Sequence, residues 1–297
     1  MSGYGREVRH MTPNQGAKAC WLGDPDSQDP AIVGGKVANL SRLATSFTVP
    51  PGFCVSDADE STVASAYHEL GERCGQPDPR VAVRSSAVDE DGPTASFAGQ
   101  HKTLLNVEGL EAVLEGVREC VASFFADSVR EYRRQHGLPD APTRSAVLVQ
   151  QLVLSDVSAV LFSLNPITGN RGEIIVNTSW GLGESVVGGT VTPDTFIVQR
   201  SDLSVRAQLA EKRRMTVAVP GGSREVDVPR RMRRLPSADD EQIAQMARLG
   251  LDLERRMGWP VDLELAWAGG VLYLLQCRPV TALPATVLND ARKESVS

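Results

Sequence analysis

The stretch Val261 to Pro279 reads VDLELAWAGGVLYLLQCRP. Up to Trp267, apolar residues alternate with Asp262, Glu264 and Ala266; from Val271 to Cys277, a second alternation sets Leu272, Leu274, Gln276 and Arg278 on the other side. A period of two marks strands, so the segment reads as a hairpin with one face for a core and the other for something else. In an antiparallel pair the numbers of cross-strand partners sum to a constant, so the parity of the connection decides which side chains share a face. A three-residue loop, with a glycine of the Gly269-Gly270 pair in the left-handed bulge position, places Glu264 opposite Gln276; a two-residue loop would separate them. With the odd loop, Asp262, Glu264, Gln276 and Arg278 gather on one face. Carboxylate and amide oxygens are hard ligands suited to Mg²⁺, and a guanidinium fork suits phosphate. A solvated polar side of an edge hairpin is the plainer reading of the same residues.

Two segments upstream carry matching chemistry. Gly34-Gly35-Lys36 opens a helical pattern through Val37, Leu40, Leu43 and Phe47. Glycines allow close approach of an anion, the helix start presents free amides, and Lys36 adds a point charge, although a simple turn would look the same. The short strand Val81-Ala82-Val83 runs into Arg84, Ser85 and Ser86, then through Gly92, Thr94 and Ser96 to Gly99. A hydroxyl-rich loop with a strand-anchored arginine suits clamping a polyphosphate and closing over it; an ordinary surface loop is the alternative. GxxxxGK[ST] is absent, Gly181-Leu182-Gly183-Glu184 does not complete GxGxxG, and there is no GxSxG. The four histidines lie at neither triad nor metal spacing and are expected to be structural or solvated.

The chain's 297 residues allow two lobes, and 37 acidic against 31 basic residues, a net charge of −6, argue against nucleic acid or anionic membrane as the main partner. Five scattered cysteines without a CxxC suit reduced thiols, and no apolar run approaches membrane length, so a cytoplasmic protein is expected. Further elements expected are a strand at Phe53 to Val55, a long helix from Val107 to about Gln135, and strands at Ala146–Gln151, Ser158–Leu164 and Ile174–Asn177. The arginine-rich segment from Lys212 to Arg234 reads as a hairpin with a solvated basic rim, or as a dock for an acidic partner. Ser237 and Asp240 suggest a capping box for a helix ending at Gly258. Helices among short antiparallel strands indicate α+β.

VGGKVANL (33–40), VPPGFCV (49–55), VAVRSSAVDEDGPTASFAGQ (81–100), VLFSLNPITGNRGEIIVNTSWGLGESVVGGTVTPDTF (160–196) and VDLELAWAGGVLYLLQCRPVT (261–281) stand in this order. Together they resemble the ATP-binding domain shared by phosphoenolpyruvate synthase, pyruvate phosphate dikinase and rifampicin phosphotransferase. The resemblance implies an ATP-grasp fold whose two lobes enclose the nucleotide, here 18–152 and 153–284, with a loose tail at 285–297. It implies that Lys36 and Arg84 hold the phosphates, that the loop through Ser96 and Gly99 closes over them, and that Gln150, Gln151, Leu152 and Val153 meet the adenine. By the same resemblance Glu184 faces the ribose, Glu264 and Gln276 coordinate Mg²⁺, and Arg278 neutralises the transferring phosphates. Val37 stands where the family often has glycine.

The family's phosphohistidine pattern is absent, so the resemblance implies a separate phosphohistidine-domain partner that carries phosphate from ATP, leaving AMP, to a small-molecule acceptor. The alternatives are a self-sufficient ATP-grasp kinase or ligase acting directly on a small molecule, and a non-catalytic nucleotide-binding module.

Overall fold

The computed structural model describes residues 19–56, 59–87, 102–135 and 145–280. Two antiparallel sheets organise them. The first takes β1 (Cys20–Trp21), β2 (Gly52–Val55), β3 (Val81–Ala87), β4 (Thr103–Val107) and β5 (Ser145–Gln151) in the order β1-β2-β5-β3-β4. The second takes β6 (Val157–Phe162), β7 (Glu173–Trp180), β8 (Asp194–Gln199), β9 (Val205–Gln208), β12 (Val261–Ala268) and β13 (Val271–Pro279) in the order β13-β12-β6-β7-β8-β9. Between β9 and β12 in sequence, β10 (Arg214–Val219) and β11 (Gly222–Asp227) form a separate two-stranded hairpin.

Strand alternation decides what each face of the first sheet meets. Phe53, Val55, Val81, Val83, Val147 and Val149 point to one side, where α3 (Glu60–Cys74) and α4 (Leu110–Ser123) supply Val63, Tyr67, Leu70, Val113 and Val117. Cys54, Ala146 and Leu148 point to the other, against Val33 of α1 (Pro30–Val33) and Val37, Leu40 and Leu43 of α2 (Gly35–Ala44). This second cluster runs on without a break into Leu161, Val176 and Leu263 of the second sheet and Ile243, Met246 and Leu253 of α7 (Asp240–Met257). The helix carrying Lys36 is therefore packed into the same core as the final hairpin. Arg84 pairs across the strands with Leu148, which puts it on the α2 side of its sheet.

Several expected elements differ in extent or kind. Strand β3 continues to Ala87, so Ser85 and Ser86 belong to the strand rather than to the loop; their hydroxyls donate to Lys102 O and Val33 O. Ser86 is buried and ties the end of α1, just before Gly34, to the strand that carries Arg84. Ser86→Ala would leave a buried carbonyl unpaired and is expected to lower stability by about 1–3 kcal/mol, read from the urea unfolding midpoint. Val107 ends a strand, and the long helix is two, α4 and α5 (Asp127–Gln135), with Phe124 to Ala126 between them. The capping box of α7 is made by Asp239 and Gln242, not by Ser237 and Asp240: Gln242 N donates to Asp239 Oδ1 at 2.8 Å and Asp239 N to Gln242 Oε1 at 2.9 Å.

Within the arginine-rich segment most of the arginines are exposed, but Lys212 is fully buried. Its Nζ lies 2.6 Å from Asp194 Oδ1, itself fully buried, and Asp194 also accepts from Ala210 N, Ser237 N and Ser237 Oγ. The lysine anchors the segment to the second sheet rather than forming its rim.

Candidate functional site

The turn of the final hairpin has two residues, not three: Ala268 pairs with Val271, and Gly269 and Gly270 both take positive φ, 56° and 81°. Such a turn alone would separate Glu264 from Gln276. The register shifts between Glu264 and Leu265, leaving Leu275 as one extra residue on β13, so the inner half of the ribbon pairs Glu264 with Gln276 and Asp262 with Arg278. A β-bulge on an edge strand thus restores the parity that an odd loop would have given. All four side chains share one face with Val160 and Asn177, since Glu264 pairs with Val160 and Val160 with Asn177.

Val160, Glu264, Gln276 and Arg278 of this face form one wall of a cleft of about 380 Å³. Lys36 from the first turn of α2 and Arg84 from β3 stand on the other side. Arg84 Nη1 lies 3.8 Å from Glu264 Oε2, with only 18% and 16% of the two side chains exposed. Gln276 Nε2 donates to Glu264 Oε1 at 3.2 Å, and Arg278 Nε to Asp262 Oδ2 at 2.8 Å. Burial pushes the Asp262 carboxyl above the usual carboxylate range, while Arg278, and more weakly Lys36, pull it down. Asp262 Oδ1 and Arg84 Nε are both buried without a hydrogen-bond partner. Buried polar atoms are nearly always paired, so the orphaned Nε of Arg84, whose side chain lines this cleft, indicates a missing ligand; Asp262 lines an adjoining pocket instead.

The strand end Gln150 to Val153 also lines the cleft, although the Gln150 side chain is committed elsewhere, donating to Pro50 O at 3.0 Å. Glu184 lines it from α6 (Glu184–Val187), and its Oε2 accepts from Ser223 Oγ at 2.6 Å. Ser96 and Gly99 lie outside the described residues. Beyond Glu264 and Arg278 a second pocket of about 250 Å³ opens, walled by Val160, Phe162, Val186, Val187 and Pro193, with Asn177 and Asp262. Asp262, which the alternation places on the polar face without giving it a task, fixes Arg278. Ser223 carried no local motif; only the fold brings it to Glu184.

Residues 56–296 match the family model described as pyruvate phosphate dikinase, AMP/ATP-binding domain. The chain belongs to this family. It is 35% identical over 315 residues to a probable phosphoenolpyruvate synthase of Methanocaldococcus jannaschii, covering 89% of this chain and 26% of that protein. It is also 35% identical over 308 residues to the rifampicin phosphotransferase of Streptomyces sviceus, covering 88% of this chain and 36% of that protein. The dikinase-type domain thus spans only about a quarter to a third of these relatives' length. Among solved structures, D-alanyl-alanine synthetase A from Vibrio cholerae is similar at a TM-score of 0.36 and 11% identity, covering 87% of this chain and 61% of that one. The two antiparallel sheets with their helices make an α+β fold, and strands of both sheets line the cleft. Among the described residues no helix is long and apolar enough to cross a membrane.

The donor set also bears on a metal. Among the described residues no group of three or more His, Cys, Asp or Glu side chains forms a cage. Glu264 and Gln276 offer one carboxylate and one amide oxygen facing the cleft. That suits Mg²⁺, which is commonly held by one or two protein oxygens with the rest from phosphates and water.

Proposed function

We propose that this domain binds Mg·ATP in the cleft and serves as the nucleotide-binding part of a dikinase-type phosphotransferase. With one water and a histidine on a separate protein, ATP would yield AMP, orthophosphate from the γ position, and the β-phosphate on the histidine nitrogen. The phosphohistidine would then pass its phosphate to a small-molecule acceptor. The observation that carries this reading is Arg84, a largely buried side chain with a buried, unpaired Nε, facing a carboxylate across the cleft. An unmade buried hydrogen bond costs about 1–3 kcal/mol, and a polyphosphate oxygen would satisfy it.

In this reading Lys36 and Arg84 hold the phosphates, Gln150 to Val153 meet the adenine, and Glu184 takes the ribose. Glu264 and Gln276 would hold Mg²⁺, which when bound neutralises phosphate charge. Arg278 stands beside the transferring group, its guanidinium held in one orientation by Asp262. Gln276 similarly fixes one oxygen of Glu264, leaving the other toward Arg84. Phosphoryl transfer asks a protein chiefly for such positioning and for positive charge, and this wall supplies both.

The second pocket favours a competing reading, a self-sufficient ATP-grasp kinase or ligase, because it offers room for a small acceptor next to Glu264 and Arg278. Incubation with Mg·ATP labelled separately at β and γ, with and without a histidine-bearing partner protein, separates the two. The proposal expects AMP only when the partner is present, the β label on that protein and the γ label in orthophosphate. ADP formed without a second protein, with the γ label on a small molecule, would establish the competing reading instead. ATP binding without turnover in any pairing would reduce the chain to a nucleotide-binding module.

A further inference from the structure

The hairpin β10–β11 belongs to neither large sheet, yet it is held at both ends. Near its base, Thr216 pairs with Gly181 in an isolated parallel bridge, and Leu182 N donates to Thr216 O at 2.9 Å. Gly181 has φ +78°, and a Cβ there would stand 2.3 Å from Thr216 O, so the approach admits only glycine. At the tip, Asn106 of β4 reaches from the first sheet: its Nδ2 donates to Val219 O at 2.6 Å and to Gly222 O at 2.8 Å, the two residues flanking the Pro220-Gly221 turn. Asn106 is 1% exposed and takes φ +58°, a left-handed conformation that asparagine tolerates better than most residues. The residue after this clamped turn is Ser223, whose hydroxyl donates to Glu184 Oε2.

We infer that the hairpin is a strap between the two lobes and that Ser223 is a positioning residue that aims Glu184 at the sugar of the nucleotide. The inference rests on the nucleotide reading above. Glu184 sits on a helix of only four residues and is itself exposed, so its own backbone does little to fix its carboxylate. Clamping the strap at Gly181 and Asn106 brings Ser223 to one carboxylate oxygen and leaves acceptor capacity for a ribose hydroxyl. A carboxylate positioned to accept from a 2′-hydroxyl loses that bond with a 2′-deoxynucleotide, so the strap sets a preference for ATP over 2′-deoxy-ATP.

The test is calorimetric binding of Mg·ATP and Mg·2′-deoxy-ATP to the full chain and to Ser223→Ala, Ser223→Thr and Asn106→Asp. The unmodified chain is expected to prefer ATP by roughly tenfold, as one charge-assisted hydrogen bond allows. Ser223→Ala is expected to abolish most of that preference through weaker ATP binding, with 2′-deoxy-ATP affinity changed less than about twofold; Ser223→Thr, which keeps the hydroxyl, retains it. Asn106→Asp, which sets a carboxylate against two carbonyls, should lower the same ratio from the other lobe. Equal affinity of the unmodified chain for both nucleotides overturns the inference, as does a parallel loss for both in Ser223→Ala. If the unmodified chain binds neither nucleotide, the nucleotide reading falls and takes this inference with it.

Discussion

Glu264→Gln is expected to lower ATP turnover about a thousandfold while shifting the melting temperature by no more than a few degrees. The substitution keeps the shape of the side chain and a carbonyl oxygen for Gln276, so the ribbon retains its pairing. What it removes is the negative charge between Arg84 and Gln276, the single full charge that the proposed ligand pair would offer Mg²⁺. Charge stabilisation by a catalytic metal contributes several kcal/mol, and about 4 kcal/mol corresponds to that factor. Single-turnover measurements over a Mg²⁺ titration would check it, with the variant needing far more Mg²⁺ even for its residual rate. Full activity in the variant would remove Glu264 from the metal site.

Asp194→Ala should be the most destabilising single change away from the cleft, about 3–5 kcal/mol by urea unfolding. It strands a fully buried ammonium and leaves Ser237 N and Ala210 N without their acceptor. Breaking one partner of a buried ion pair is costly because the other charge remains out of water. Replacing both, Asp194→Leu with Lys212→Met, is expected to cost clearly less than the sum of the two single changes. An additive double variant would mean the two charges do not act as a unit.

The sequence showed the cleft-facing residues more clearly than the path that brings them together. Alternation around Glu264 and Gln276 was legible because a half-buried strand must obey a period of two. The way their pairing is achieved was not: a bulge at Leu275 leaves no residue-type signature, and the odd loop inferred in its place gave the right face by a different route. Lys212 looked solvated because its neighbours are arginines; only the packing of β8 against the following loop reveals Asp194 beneath it. Helix α3 was not anticipated, although Asp59 caps it, Val63, Tyr67 and Leu70 follow helical spacing, and Gly75 closes it in the left-handed conformation. Ser223 and Asn106 are separated by more than a hundred positions, and nothing local marks either as a neighbour of the cleft.

The additional residue at Leu275 divides the ribbon into an outer and an inner ladder of different register. Substitutions at the Gly269-Gly270 tip, or a peptide grafted there, are expected to rearrange the last few pairs without rotating the Glu264 carboxylate and Gln276 amide out of the cleft wall. Deleting Leu275 would regularise the ribbon into an unbulged hairpin that still sets Gln276 opposite Glu264 and Arg278 opposite Asp262, so the wall is expected to survive that change, whereas a second inserted residue beside Leu275 would turn both inward to the core.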